Sequence, residues 1–159
     1  MKEIIDVVDD LRDAGEYPIR ALGDITNIDV HHSADNNRVG MEAVEYYNRL
    51  HIEDRGWPGV GYHYIIDPDG KIFKVGLDRQ KRWSVGNHNG HTISIMLIGD
   101  FRNEKPTAEQ LDSAVWMASR LKQAYGVPTE RVKGHSEYPG HSSKACPAID
   151  MDFFRAELD

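Results

Sequence analysis

The sequence predicts a single α/β domain, a central mixed β-sheet flanked by helices on both sides. Three observations carry this. The run TISIMLIG (92–99) is continuously apolar rather than alternating, as expected of a central strand covered on both faces. The segments YHYII and KIFKV are joined by Asp67-Pro68-Asp69-Gly70, good turn chemistry with proline at the second turn position, and therefore form a hairpin. After Pro106, the stripe Leu111, Ala114, Val115, Ala118, Leu121 and Tyr125 marks an amphipathic helix, opened by a Thr107/Gln110 capping box and ended by Gly126.

The other elements follow in order. Ile4, Val7, Val8 and Leu11 recur at helical spacing until Gly15 and Pro18, which predicts a short amphipathic helix in an N-terminal flank over 1–24. ITNIDVHHSA (25–34) opens the main unit, 25–159, as a strand running into a polar loop, and its period of two sends His31 and His32 to opposite faces. From Gly40 to about Asp54, Met41, Val44, Tyr47 or Asn48, and His51 line one side of a helix that RGWPGVG ends. A short strand over 131–134 and a terminal helix over about 150–158 complete the order. Repeats, low-complexity segments and interdomain linkers are not evident.

The 159 residues suit one compact core, and 40% hydrophobic with 28% charged residues points to neither disorder nor a membrane-inserted protein. A formal charge of −7 and the lack of a basic run argue against a nucleic-acid partner. The lone Cys146 offers no intramolecular disulfide, so the fold does not depend on an oxidising compartment. MKEIIDVVDDLRDAGEYP has an acidic flank and no long apolar run, which reads as neither signal peptide nor anchor; synthesis in the cytoplasm is expected.

Cys146 itself admits three readings. Next to Pro147 it could open a helix as an activated nucleophile partnered by His135; it could be a metal ligand; or it could be a small buried side chain. Catalytic zinc takes three protein ligands from Cys, His and carboxylates and leaves one position to water. His135 and Cys146 end one Gly- and Pro-containing loop, and His31 or His32, at the end of a probable sheet strand, could supply the third ligand. His141 is a rival ligand by proximity in sequence.

Four segments carry a resemblance: VHHSA (30–34), GWPGVGYHYIIDPDGKI (56–72), WSVGNHNGHTISIMLIG (83–99) and GHSEYPGHSSKACPAID (134–150). In order and spacing they resemble the zinc-dependent N-acetylmuramoyl-L-alanine amidases, a family that includes small phage lysins and the peptidoglycan-recognition proteins. The resemblance spans about residues 25–155. It implies a Zn2+ ion held by His31, His135 and Cys146, with Tyr62 and Lys144 in catalytic roles and His88 along the substrate groove. One departure is that Met96 stands where the cytoplasmic muropeptide-recycling members place an acid, so general-base chemistry cannot come from that position.

The implied activity is hydrolysis of the amide between the lactyl group of N-acetylmuramic acid and L-alanine. The implied setting is a phage or prophage endolysin, expected as a monomer, with peptidoglycan as its partner, released from the cytoplasm to act on the bacterial cell wall. Two rivals remain. One is a module of the same fold that binds peptidoglycan without cutting it; the other is a cysteine hydrolase using Cys146 and His135, sensitive to thiol alkylation and indifferent to chelators. Asp29 or Glu137 is expected to hold a ligand histidine from behind.

Overall fold

The structure, a computed structural model, describes residues 2–159; Met1, the first residue of the 1–24 flank, lies outside the described residues. A six-stranded sheet forms its centre. The strands are β1 (Ile4–Asp6), β2 (Asn27–His32), β3 (Tyr64–Ile66), β4 (Ile72–Lys74), β5 (Thr92–Leu97) and β6 (Val132–Gly134), in the spatial order β1-β4-β3-β5-β2-β6. Their pairings are parallel except in the β3–β4 hairpin, so the sheet is mixed as expected. The hairpin turn closes through Gly70 N–H donating to the Asp67 carbonyl at 2.9 Å, with Gly70 at φ 91°, a left-handed value that favours glycine.

Helices cover both faces. Ile28, Val30, Tyr64, Ile66, Ile95 and Leu97 pack with α2 (Ala108–Tyr125) and α3 (Met151–Ala156), whereas Ile65 and Met96 pack with Ala43, Val44 and Tyr47 of α1 (Gly40–Arg55). Neighbouring residues of one strand thus serve different cores, which is why β5, buried at every position, needs an apolar residue almost throughout. Thr107 Oγ1 accepts the Gln110 N–H at 3.0 Å, the expected cap. The Gln110 side chain does not reach back to complete a box; its amide donates to the carbonyls of Ile66 (3.1 Å) and Ile98 (2.8 Å), tying the first turn of α2 to the sheet.

The N-terminal segment departs from expectation. Ile4, Val7, Val8 and Leu11 do not form a helix: Ile4–Asp6 is an edge strand parallel to β4, followed by a 3-10 turn at Val8–Asp10. Ile4 joins the core beneath α2, and Ile5 joins the one beneath α1. The spacing fits a short strand and turn as well as a helix, and the open edge of β4 decides between them by offering backbone partners, as in Val7 N–H to the Lys74 carbonyl at 3.0 Å. The terminal helix is shorter than expected, opened by Asp150, whose carboxylate accepts the Phe153 N–H at 3.0 Å.

Candidate metal centre and adjoining groove

Parallel β2 and β6 pair with Val30 opposite Gly134, so the next residue of each, His31 and His135, leaves the same rim of the sheet. Their ring centroids lie 4.8 Å apart. The loop after His135 folds back, with Ser136 N–H donating to the Cys146 carbonyl at 3.0 Å. Gly134 permits that closure, because a Cβ there would stand 2.7 Å from Pro147 Cδ. One ligand atom each from His31, His135 and Cys146 lies within 4.8 Å of the others, a grouping that could hold a metal ion.

The hydrogen bonds around the three define which atoms face inward. Asp29, two residues before His31 and on the same face of β2, takes His31 Nε2, leaving Nδ1 at 3.6 Å from Cys146 Sγ. Asp29 is fully buried and accepts Ser94 Oγ at 3.0 Å from its register partner on β5; Ser94 in turn meets Ser84 Oγ at 2.5 Å. The His32 N–H points at Cys146 Sγ from 3.4 Å, a donor suited to a thiolate. Burial pulls the His31 imidazole down, but Asp29 and Cys146 outweigh it and raise its pKa to about 10. Burial would raise Asp29, yet His31 and the serine hydroxyls hold it below the usual carboxylate range. Burial, then His31 and His141, push His135 down to about 3.

The remaining candidates fall around this centre. The Tyr62 ring lies 5.0 Å from that of His31 and lines the cavity beside it. Burial and the nearby Cys146 raise its pKa, so the phenol stays neutral. Lys144 is exposed on the Cys146 loop and lends its positive charge to the surroundings of His135. His88 is half-buried, its ring 5.0 Å from that of Tyr138 and 6.0 Å from that of His141. His141 stands behind His135 rather than among the three, with Nδ1 3.0 Å from His135 Nε2. His32 turns to the other face as expected, its Nδ1 accepting the Phe101 N–H at 3.2 Å. Glu137 is not a histidine acceptor; it takes the Gly134 N–H at 2.8 Å and pairs with Arg155 at 2.8 Å.

A cavity of about 310 Å³ opens beside Tyr62, bounded by Met96, Tyr47, Asp35, Arg38 and Arg55. Met96 forms part of the apolar wall of this cavity. Neither Asp35 nor Arg55 stands in a motif that marks it in the sequence, and the spacing of His51 marks only a helix face. Its Nδ1 accepts the Gly61 N–H at 2.9 Å and so braces the residue preceding Tyr62. Gly61 is required there: a Cβ would lie 2.7 Å from the Trp83 carbonyl oxygen and 2.9 Å from Trp57. Trp57 and Trp83 meet edge to face at 5.8 Å and form that wall.

Comparison with known proteins gives a consistent result. Bovine peptidoglycan recognition protein 1 is 32% identical over 101 residues, 59% of this chain and 49% of the relative. Peptidoglycan-recognition protein SD of Drosophila melanogaster is 32% identical over 79 residues, 49% of this chain and 42% of the relative. The chain therefore spans about half the length of the curated relatives it matches. Among solved structures, the N-acetylmuramoyl-L-alanine amidase LysC of Clostridium intestinale superposes with a TM-score of 0.80 at 21% identity, covering 100% of both chains. An endolysin of a Thermus scotoductus bacteriophage gives 0.81 at 23% identity, covering 98% of each. Likeness at that identity establishes the fold. Residues 21–149, which carry the three candidate ligands and Tyr62, match the family model Amidase_2, N-acetylmuramoyl-L-alanine amidase, and the chain belongs to that family.

Proposed function

We propose that this protein is a zinc-dependent amidase that cleaves the bond between the lactyl group of N-acetylmuramic acid and L-alanine in peptidoglycan. The observation that carries the reading is the convergence of His31, His135 and Cys146 beside Tyr62 in a chain of this family. Two imidazoles and one thiolate are a donor set zinc favours, and three ligands leave a position open. The site fits the ion in detail: Asp29 leaves His31 Nδ1 free, and His32 N–H faces the sulfur. When bound, zinc supplies Lewis acidity and a water acidified to a pKa of about 7.

The chain's own residues do the rest. Tyr62, a neutral phenol, donates a hydrogen bond or passes a proton to the departing amine; its raised pKa makes it a poor base. Lys144 sets its ammonium against the negative charge that develops on the carbonyl oxygen. The cavity beside Tyr62 receives the peptide, and His88 lines the groove near His141. Endolysins among the fold neighbours support action on the bacterial cell wall in a phage setting.

A second reading, binding without cleavage, draws support from relatives named for peptidoglycan recognition. Mass spectrometry of purified peptidoglycan after digestion separates the two. New free L-alanine amino termini, without new reducing sugar ends and abolished by a zinc chelator, are expected. Retention on intact wall with no bond broken would replace the amidase with the recognition module.

A further inference from the structure

His141 is the loop residue whose place the activity does not explain. Both of its ring nitrogens are engaged: Nδ1 lies 3.0 Å from His135 Nε2, and Nε2 lies 3.0 Å from the Gly86 carbonyl oxygen. A carbonyl only accepts, so the proton of a neutral His141 ring resides on Nε2. Its Nδ1 is then an acceptor, and the partner nitrogen, His135 Nε2, must be the donor. That leaves the lone pair of His135 on Nδ1. His31 is arranged the same way by a different residue, since the Asp29 carboxylate takes its Nε2–H and leaves Nδ1 facing Cys146.

We propose that His141 is a positioning residue: it fixes the tautomer of His135 with Nδ1 unprotonated and anchors that ring to the loop at Gly86. The carbonyl it leans on is held firmly. Asn89 Oδ1 accepts the backbone N–H groups of both Ser84 (3.0 Å) and Val85 (2.8 Å), and His88 N–H closes on the Val85 carbonyl at 2.9 Å. The path from groove loop to candidate ligand is therefore two hydrogen bonds long. A partner that holds a ligand histidine from behind typically contributes about 10- to 100-fold in metal affinity.

The inference rests on the reading of His135 as a ligand, and the experiment is arranged so that the two fail separately. Long-range 1H–15N NMR of the full chain, metal-free and with labelled histidines, reads each tautomer directly. Protonation of His135 and His141 at Nε2, with Nδ1 of each ring unprotonated, is expected; a proton on His135 Nδ1 overturns the proposal whether or not zinc binds. Zinc affinity, measured by competition with a chromophoric chelator, supplies the second reading. His141→Leu is expected to bind about 10- to 100-fold more weakly. His141→Gln, whose oxygen accepts from His135 and whose amide donates to Gly86, is expected to restore affinity to within about threefold. Unchanged affinity in His141→Leu, or a His141→Gln as weak as the leucine variant, overturns the proposal. Should the leucine variant fail to fold, the glutamine variant and the tautomers decide. A wild-type chain that binds no zinc defeats the amidase reading and leaves the tautomer test standing.

Discussion

Asp29 and His31 sit two residues apart on β2, and the fully buried carboxylate of the first takes the Nε2 of the second. The strand's period of two places both on one face, and register with Ser94 on β5 supplies a hydroxyl that holds the carboxylate in turn. Removing Asp29 leaves the His31 N–H buried without an acceptor. Asp29→Ala is expected to weaken zinc binding about 10- to 100-fold and to cost roughly 1–3 kcal/mol of stability in the metal-free chain. Asp29→Asn retains an acceptor oxygen without the charge and should fall between. Chelator competition and urea unfolding measure both; zinc affinity unchanged in the alanine variant would remove Asp29 from the site.

Tyr62 and Lys144, proposed above for chemistry rather than for holding the ion, allow the two to be tested separately. Tyr62→Phe deletes only the hydroxyl and should leave the fold and zinc affinity unchanged while lowering kcat about 10²–10⁴-fold. Lys144→Met removes an exposed charge and is expected to lower kcat about 10²–10³-fold. Kinetics on a muramyl peptide, beside zinc titration of the same samples, provide the check. A Tyr62→Phe enzyme with wild-type turnover would end the assignment of proton transfer to this residue.

Much of the fold was legible because the signals were local. The mostly apolar run of β5 announced a two-sided strand, and the Asp67–Gly70 turn and the Thr107 cap depend only on neighbouring residues. The candidate trio His31, His135 and Cys146 was named from its resemblance to family motifs, and the fold brings the three side chains together. What stayed hidden depends on register and on pairing between distant segments. Ser94 matters because it faces Asp29 across 65 positions of sequence, and β1 exists because β4 has an open edge. Gln110 likewise makes a sound capping-box pattern, but Ile66 and Ile98 compete for its amide and win.

Two buried histidines away from the ligand trio set an acid limit on stability. His63 Nδ1 accepts the Ser94 N–H at 3.1 Å while Nε2 meets the Gln80 carbonyl at 2.8 Å, and His51 accepts the Gly61 N–H. Burial pushes their pKa values down, to about 3 for His63 and about 4 for His51. Between those values and the ordinary histidine range near pH 6.5, the unfolded chain binds protons that the folded chain refuses. Stability therefore rises with pH across this window and falls on acidification, by up to about 1.4 kcal/mol per pH unit for each histidine. Urea midpoints at pH 7 and pH 5 test this. His63→Gln, which keeps an acceptor and a donor and does not titrate, should lessen the slope by the share of one histidine, leaving those of His51 and His135; an equally steep decline in that variant would place the acid sensitivity elsewhere.

The edge strand gives the last prediction. β1 pairs with β4 at one edge of the sheet, while the candidate ligand histidines rise from β2 and the end of β6 at the other, with β3 and β5 between. Ile4 and Ile5 are partly buried in different cores, so the double change Ile4→Ser, Ile5→Ser removes apolar contact from both faces. A loss of about 2–4 kcal/mol is expected from two such truncations. Zinc affinity should stay within about twofold, because additivity holds for sites that share no partners. Hydrogen exchange distinguishes this strand from a docked helix: backbone amides of β4 that lose protection in the double variant report a broken sheet edge. Unchanged β4 protection alongside lowered stability would mean that the segment acts by side-chain packing alone.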